Sequence, residues 1–160
     1  MCSLRSLPDW CAVMITVAGY DVDEGLEYDP DYNLWVERRG LGVVRVGYDP
    51  LGAETVGDIV AVALAAPGRA LVRGSALATI EAAKFVGPLP APVAGNVRAV
   101  NESLARNPGA INSDPFGSWI AEIDGVTDDA FSHLIAGAEA IRSWFSATAE
   151  RFRLQGVIAE

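Results

Sequence analysis

Two stretches of this chain occur twice, and the repetition restricts the folds open to it. Gly57-Asp58-Ile59-Val60-Ala61-Val62 and Gly95-Asn96-Val97-Arg98-Ala99-Val100 share glycine, β-branched and valine positions at an offset of 38 residues. Gly74-Ser75-Ala76-Leu77-Ala78-Thr79-Ile80-Glu81 and Gly117-Ser118-Trp119-Ile120-Ala121-Glu122-Ile123-Asp124 match at an offset of 43. The change of offset puts a five-residue insertion between Asn101 and Gly117, where Asn107-Pro108-Gly109 and Asp114-Pro115-Phe116-Gly117 supply the turn residues of a longer loop. Two copies of one strand–turn–strand unit predict a pseudo-twofold β-sandwich.

The link between the copies contains Lys84, the only lysine in a chain that otherwise uses arginine. A composition rich in Ala, Gly and Arg accounts for part of that depletion, so position carries the argument. The alternating run Ala76–Ile80 enters the segment and a second apolar run, Leu89–Val93, leaves it, which reads as two strands joined by a turn with Lys84 at the tip.

A length of 160 residues, half of them hydrophobic, suffices for one core domain with an appendage. The net charge of −9 excludes a nucleic-acid binder, which needs clustered cations to neutralise phosphates. Cys2 and Cys11 lie together near the amino terminus and read as free thiols in a reducing cytoplasm, because a disulfide framework would spread them through the fold. No apolar run approaches the ~20 residues of a membrane span, and Pro8 and Asp9 spoil the start as a secretory signal. Met14 opens a short β-like run to Tyr20, whereas residues 1–13 have no periodic pattern. The expected organisation is a disordered or spurious extension over 1–13, a domain over 14–125 and a helical appendage over 126–160 packed on it, all cytoplasmic and with no membrane partner.

Within the domain, Asp21–Asp31 reads as an acidic loop that carries Leu26 and Tyr28 onto the core. Leu34–Arg39 and Leu41–Gly47 form a hairpin around Gly40, with Trp35, Val44 and Val46 inward. Asp49–Val56, broken by Pro50 and Gly52, supports one helical turn at most. Beyond Gly125, Thr127 suits an N-cap and Asp128 and Asp129 a helix start, and Phe131, Leu134, Ile135, Ala138, Ile141, Phe145 and Phe152 recur at helical spacing to about Leu154. That stripe is expected to pack on the sandwich. His133, the sole histidine, lacks the companions of a metal site, and no nucleophile–base pair is visible.

From about Tyr28 to Asp124 the chain resembles the glycine-cleavage H proteins and, more broadly, the biotinyl and lipoyl carrier domains. Gly57-Asp58-Ile59-Val60 is similar to the family's Gly-Asp-Ile-Val strand, Glu81-Ala82-Ala83-Lys84 to its Glu-Ser-Val-Lys modification site, and Pro92-Val93-Ala94-Gly95 to its Pro-Val-Ser-Gly turn. Val100-Asn101-Glu102 and Ile111 to Gly117 match family segments as well. The resemblance implies a mainly β barrel-sandwich hybrid with a C-terminal helix, no enzymatic activity, and lipoate in amide linkage on Lys84. Glu81 and Gly87 would mark the turn for a lipoylating enzyme, either a lipoate ligase or an octanoyltransferase with lipoyl synthase. Biotin carriers use the same fold, but the methionines that flank their lysine are missing here. An unmodified sandwich acting as an adaptor is a third reading.

A reactive dithiolane on a long lysine tether can visit successive partner sites at high effective concentration. Which pathway it serves turns on the family's polar cleft. Where H proteins have a Ser-His-Glu-Trp segment and a histidine turn, this chain has Tyr32-Asn33-Leu34-Trp35 and Asp49-Pro50-Leu51. Tyr32, Leu34 and Leu51 are therefore expected to line an apolar cleft, poor in hydrogen bonds for an aminomethyl group. Lys84 to Pro92 resembles instead the lipoate-binding proteins of heterodisulfide-reductase-like sulfur oxidation. The leading expectation is a carrier of sulfur intermediates for such a complex. The alternative is the H protein of glycine cleavage, whose partners are the glycine cleavage enzymes and dihydrolipoamide dehydrogenase.

Overall fold

The computed structural model describes residues 13–159. The expected 1–13 extension lies outside the described residues except for Val13.

Two sheets enclose the main core. The larger runs in the order β3 (Glu27–Asp29), β4 (Leu34–Gly40), β5 (Val43–Tyr48), β11 (Ala121–Asp124), β10 (Gly95–Val100) and β7 (Ala70–Leu71). The smaller consists of β6 (Ile59–Leu64), β8 (Ala76–Ala82) and β9 (Val86–Pro90). Val46, Ile80, Leu89, Val97 and Ile123 meet between them, fully or almost fully buried. This is the mainly β architecture with a C-terminal helix that the repeat and the family resemblance together led one to expect.

The repeat itself appears as two antiparallel pairs, β6 with β8 and β10 with β11. Each pair has a bulge at the equivalent place, between Ile59 and Ala61 in one and between Val97 and Ala99 in the other. The partners do not superpose in register. Val62 opposes Ile80, whereas its equivalent Val100 opposes Ala121, two residues short of Ile123. A slip of two leaves every side chain on its own face, because side chains alternate along a strand with period two.

A second apolar cluster lies on the outer side of the large sheet. The hairpin of β1 (Met14–Val17) and β2 (Tyr20–Asp23) and the helix α4 (Ala138–Leu154) bury Val17, Val22, Ile141, Phe145, Ala149 and Ile158 against Tyr28, Trp35 and Leu51. The expected loop over Asp21–Asp31 is thus largely strand, because β2 pairs with β1 and β3 pairs with β4. Trp35 points into this second cluster, and its Nε1–H donates to the Pro115 carbonyl at 3.0 Å. The first half of strand β4, Leu34 to Val36, is consequently buried on both faces, while Arg38 to Gly40 are exposed.

Two helix boundaries differ from expectation. Helix α1 (Pro50–Val56) is longer than one turn, because the Asp49 carboxylate accepts the Gly52 N–H at 2.8 Å and Pro50 fills the first turn without needing a donor. Asp128–Phe131, preceded by Thr127 in an extended conformation, forms only a 3-10 turn, and α4 starts at Ala138 after Gly137 at φ 89°. Phe131 and Leu134 pack on the main core instead, and Ile135 exchanges both backbone hydrogen bonds with Tyr28, which ends any helix there.

Candidate functional site

Strands β8 and β9 are joined by Ala83, Lys84 and Phe85, a turn closed by the Ala82 N–H on the Phe85 carbonyl at 2.8 Å. The tip is not free-standing. The Lys84 N–H donates to the Val56 carbonyl at 2.9 Å and the Ala83 N–H to the Asp58 carbonyl at 3.0 Å, so its backbone is docked on the junction between α1 and β6. Gly57 makes that docking possible. It sits at φ 77°, a conformation that L side chains rarely adopt, and the aliphatic stem of Lys84 passes directly over it. The lysine side chain is exposed, and no carboxylate among the described residues pairs with it.

The docking loop is fixed from below by Asn112, on the short helix α3 (Ala110–Ser113). Its Oδ1 accepts the Ile59 N–H at 2.9 Å, and its Nδ2 donates to the Gly57 carbonyl at 2.9 Å and the Ala53 carbonyl at 3.3 Å. One amide side chain therefore satisfies the backbone of the residues on which the lysine rests.

Beside Lys84 opens a cleft of about 670 Å³. Its apolar surface comes from Met14, the Tyr20 ring, Pro50, Ala53, Pro115 and Phe116. Its carboxylates are Asp21, Glu54, Asp58 and Asp114. Tyr20 donates its hydroxyl proton to Glu54 Oε1 at 2.8 Å, and burial, reinforced by that carboxylate, pushes the phenol up to about 12. Glu54 Oε2 accepts the Ala159 N–H at 3.1 Å, tying the chain's end to the same point.

The residues expected in this cleft are elsewhere. Leu34 and Leu51 are wholly buried in the two apolar clusters, Leu34 from the inward face of β4 and Leu51 from the first turn of α1. Tyr32 lies under the Arg73 guanidinium, 4.5 Å from ring centre to Cζ, in a network with Asp29, Asp31 and His133. The cleft beside the lysine accordingly combines apolar surface with acidic residues, and the leucines expected there take no part in it. Gly87 also differs: it is a residue of strand β9 opposite Ile80, outside the turn, and the space above it holds the Phe85 ring. Glu81 is exposed on β8, three residues before the lysine. Tyr20, Glu54 and Asn112 went unmarked in the sequence because they come from three separated segments. The match of Ile111-Asn112-Ser113-Asp114 to a family segment is the one signal that could have singled out Asn112.

The model of the family described as Glycine cleavage H-protein matches residues 26–146. The chain belongs to the glycine cleavage H-protein family. Members of this family are non-catalytic lipoyl carriers with lipoate covalently attached to a lysine. The chain is 40% identical over 110 residues to a probable glycine cleavage system H protein from Pyrococcus horikoshii, covering 69% of this chain and 81% of that one. It is 36% identical over 123 residues to the glycine cleavage system H protein of Micrococcus luteus, covering 76% of this chain and 95% of the relative. Among solved structures, a glycine cleavage system H protein from Mycobacterium marinum superposes with a TM-score of 0.64 at 26% identity, over 76% of this chain and 98% of the other. None of these similarities supports the sulfur-oxidation expectation. Among the described residues no helix is long and apolar enough to cross a membrane.

The site fits the family's cofactor. An exposed amine at the end of a backbone-docked turn can be acylated, and the apolar side of the neighbouring cleft suits an alkyl chain.

Proposed function

We propose that this chain is the lipoyl carrier of a glycine cleavage system, with lipoate in amide linkage on Lys84. The observation that carries this reading is the placement of the chain's one lysine: its side chain is free at the tip while its backbone is held by Val56 and Gly57 leaves room for its stem. When bound, lipoate supplies a disulfide that accepts a group from one enzyme and yields it to the next. The protein's own task is to present that arm on a rigid sandwich. Glu81, exposed just before the turn, serves as the mark for the lipoylating enzyme, and Gly87 keeps the Phe85 ring folded against the strand beside it.

The lining of the cleft supports glycine cleavage over sulfur transfer. Four acidic residues, Asp21, Glu54, Asp58 and Asp114, line the cleft beside the lysine. Like charges repel and opposite charges attract across such a space, so a cationic ammonium cargo is favoured there and an anionic sulfur cargo is not. The partners are then a lipoylating enzyme, glycine decarboxylase, aminomethyltransferase and dihydrolipoamide dehydrogenase, all cytoplasmic.

Reconstitution with glycine decarboxylase tests this. The lipoylated chain should support exchange of bicarbonate into glycine, and Lys84→Arg should abolish it. A lipoylated chain inert in that exchange, under conditions where an authentic H protein is active, would overturn the assignment.

A further inference from the structure

The last turn of α1 is where the lysine turn, the Met14–Asp23 hairpin and the chain's final residues meet. At a helix end the last carbonyls lack partners within the helix, and here they are used by the site. The Val56 carbonyl accepts the Lys84 N–H at 2.9 Å, the Ala53 carbonyl accepts Asn112 Nδ2 at 3.3 Å, and the Glu54 carbonyl accepts the Gly57 N–H at 3.1 Å. The side chain of Glu54 is engaged as well: Oε1 accepts the Tyr20 hydroxyl at 2.8 Å and Oε2 the Ala159 N–H at 3.1 Å. Both donors belong to segments outside the family match, which spans residues 26–146. Each segment is also anchored without Glu54. Val17 and Val22 of the hairpin and Ile158 near the chain's end are buried in the second cluster with residues of α4, and Arg153 on α4 donates to the Ala18 carbonyl at the hairpin turn at 2.5 Å.

We infer that Glu54 is a positioning residue for the modified lysine, carrying the hold of these two flanking segments to the carbonyl that anchors the lysine turn. A helix of seven residues has little stability of its own, so what fixes α1 is what its side chains touch. Its apolar residues are divided, with Leu51 in the second cluster and Ala53 and Val56 in the main core. Apolar contacts are non-directional and permit a small rotation of a short helix about its axis, whereas two hydrogen bonds to one carboxylate are directional. Glu54 and Val56 are two residues apart, about 3 Å along the axis, so a rotation released at Glu54 also displaces the Val56 carbonyl from the Lys84 N–H. A turn already held in place loses less freedom when an enzyme takes it up, and binds more tightly for that reason. The ties at Glu54 therefore govern how readily the lysine is presented, and leave the chemistry of its acylation alone.

The inference rests on lipoylation of Lys84 for its consequence and on the bonding of α1 for its geometry, and two measurements keep these apart. Amide exchange is followed in the full-length unmodified chain, and lipoylation kinetics are followed with a lipoate ligase, lipoate and ATP. Glu54→Ala is expected to speed exchange at the Lys84 amide several-fold and to raise the ligase's KM for the chain several-fold with kcat little changed. Glu54→Gln is expected to stay near the parent, because its amide oxygen can accept the Ala159 N–H while its amide nitrogen donates to the Tyr20 hydroxyl. Tyr20→Phe, which removes one tie and keeps the ring, is expected to fall between the two. Ile141→Val trims the second cluster but removes neither tie, and is expected to leave the Lys84 amide unchanged. Exchange at Lys84 untouched by Glu54→Ala, an equal effect from Ile141→Val, a Gln variant as perturbed as the Ala variant, or an unchanged KM would overturn the positioning role. An unaltered chain that takes up no lipoyl group on Lys84, seen directly by mass, would instead overturn the lipoyl assignment and the positioning role with it.

Discussion

A Cβ built on Gly57 would stand 3.2 Å from Cγ and 3.5 Å from Cδ of Lys84, so the glycine and the lysine stem occupy adjoining space with nothing to spare. The same Cβ would meet that of Ala83 at 3.3 Å, and the glycine's φ of 77° penalises any side chain on its own account. Gly57→Ala should therefore lose about 1–3 kcal/mol of stability from backbone strain and, separately, displace the lysine stem. Gly68→Ala separates the two effects, because Gly68 has a similar φ of 90° but open space around it. Both variants should melt lower; only Gly57→Ala should slow lipoylation. Equal lipoylation rates would mean that the stem does not need the space.

Asn112 makes three hydrogen bonds to the backbone that supports the tip. Asn112→Ala leaves the Ile59 N–H and the Gly57 carbonyl without their partner, a loss of about 1–3 kcal/mol for partly buried groups. Amide hydrogen exchange should show where it is felt, with faster exchange at Lys84 and Ile59 and no change in the β10–β11 pair. Uniform acceleration across both sheets would assign Asn112 a general structural role instead.

How far the site was legible in the sequence follows from its construction. The lysine tip stands between two alternating runs joined by a short turn, and such local patterns survive folding, so Lys84 and its hairpin were readable. The cleft was not. Leu34 and Leu51 looked like its lining because they occupy the places where relatives carry polar groups, but alternation along β4 and the turn of α1 rotate both inward. Tyr20, Glu54 and Asn112 come together only when the hairpin, α1 and α3 pack, and no spacing along the chain encodes that. Helix α4 was readable from its stripe, but its start was not, because the backbone pairing of Ile135 with Tyr28 outcompetes the good N-cap signal at Thr127.

Phe145 is the centre of the second cluster, wholly buried, with edge-on contacts to Tyr20 and Trp144 at 5.7 Å between ring centres. Phe145→Ala should cost about 3–5 kcal/mol, the range for a large core aromatic, and loosen the β1–β2 hairpin through Tyr20. Urea denaturation measures the first effect. A midpoint unchanged by the substitution would show that α4 does not depend on this contact.

Asp49 is completely buried at the start of α1, and burial pushes its carboxyl from 3.8 up to about 6, only partly offset by the Gly52 N–H and Asn33. Since the folded state holds the proton more tightly than the unfolded chain, stability attributable to Asp49 is full below 3.8, declines as pH rises towards 6 and is level above that. The decline amounts to about 3 kcal/mol at most. Asp49→Asn keeps an oxygen acceptor for the helix cap but has no proton to lose. Its stability relative to the parent should therefore improve between these two pH values and then remain constant, a difference that urea midpoints taken across the range will report. A pH-independent difference would mean that Asp49 titrates normally.

Because Lys84 is the only lysine, one digestion tests the central claim directly. A protease specific for lysine cuts the bare chain once, after residue 84, and cannot cut a chain acylated there. Protein isolated from its native host should resist that cleavage, and tryptic digestion should release Gly74–Arg98 uncut at Lys84 and heavier by one lipoyl group. Clean cleavage after Lys84 in a host whose other carriers are lipoylated, or a biotin mass on that peptide, would contradict it.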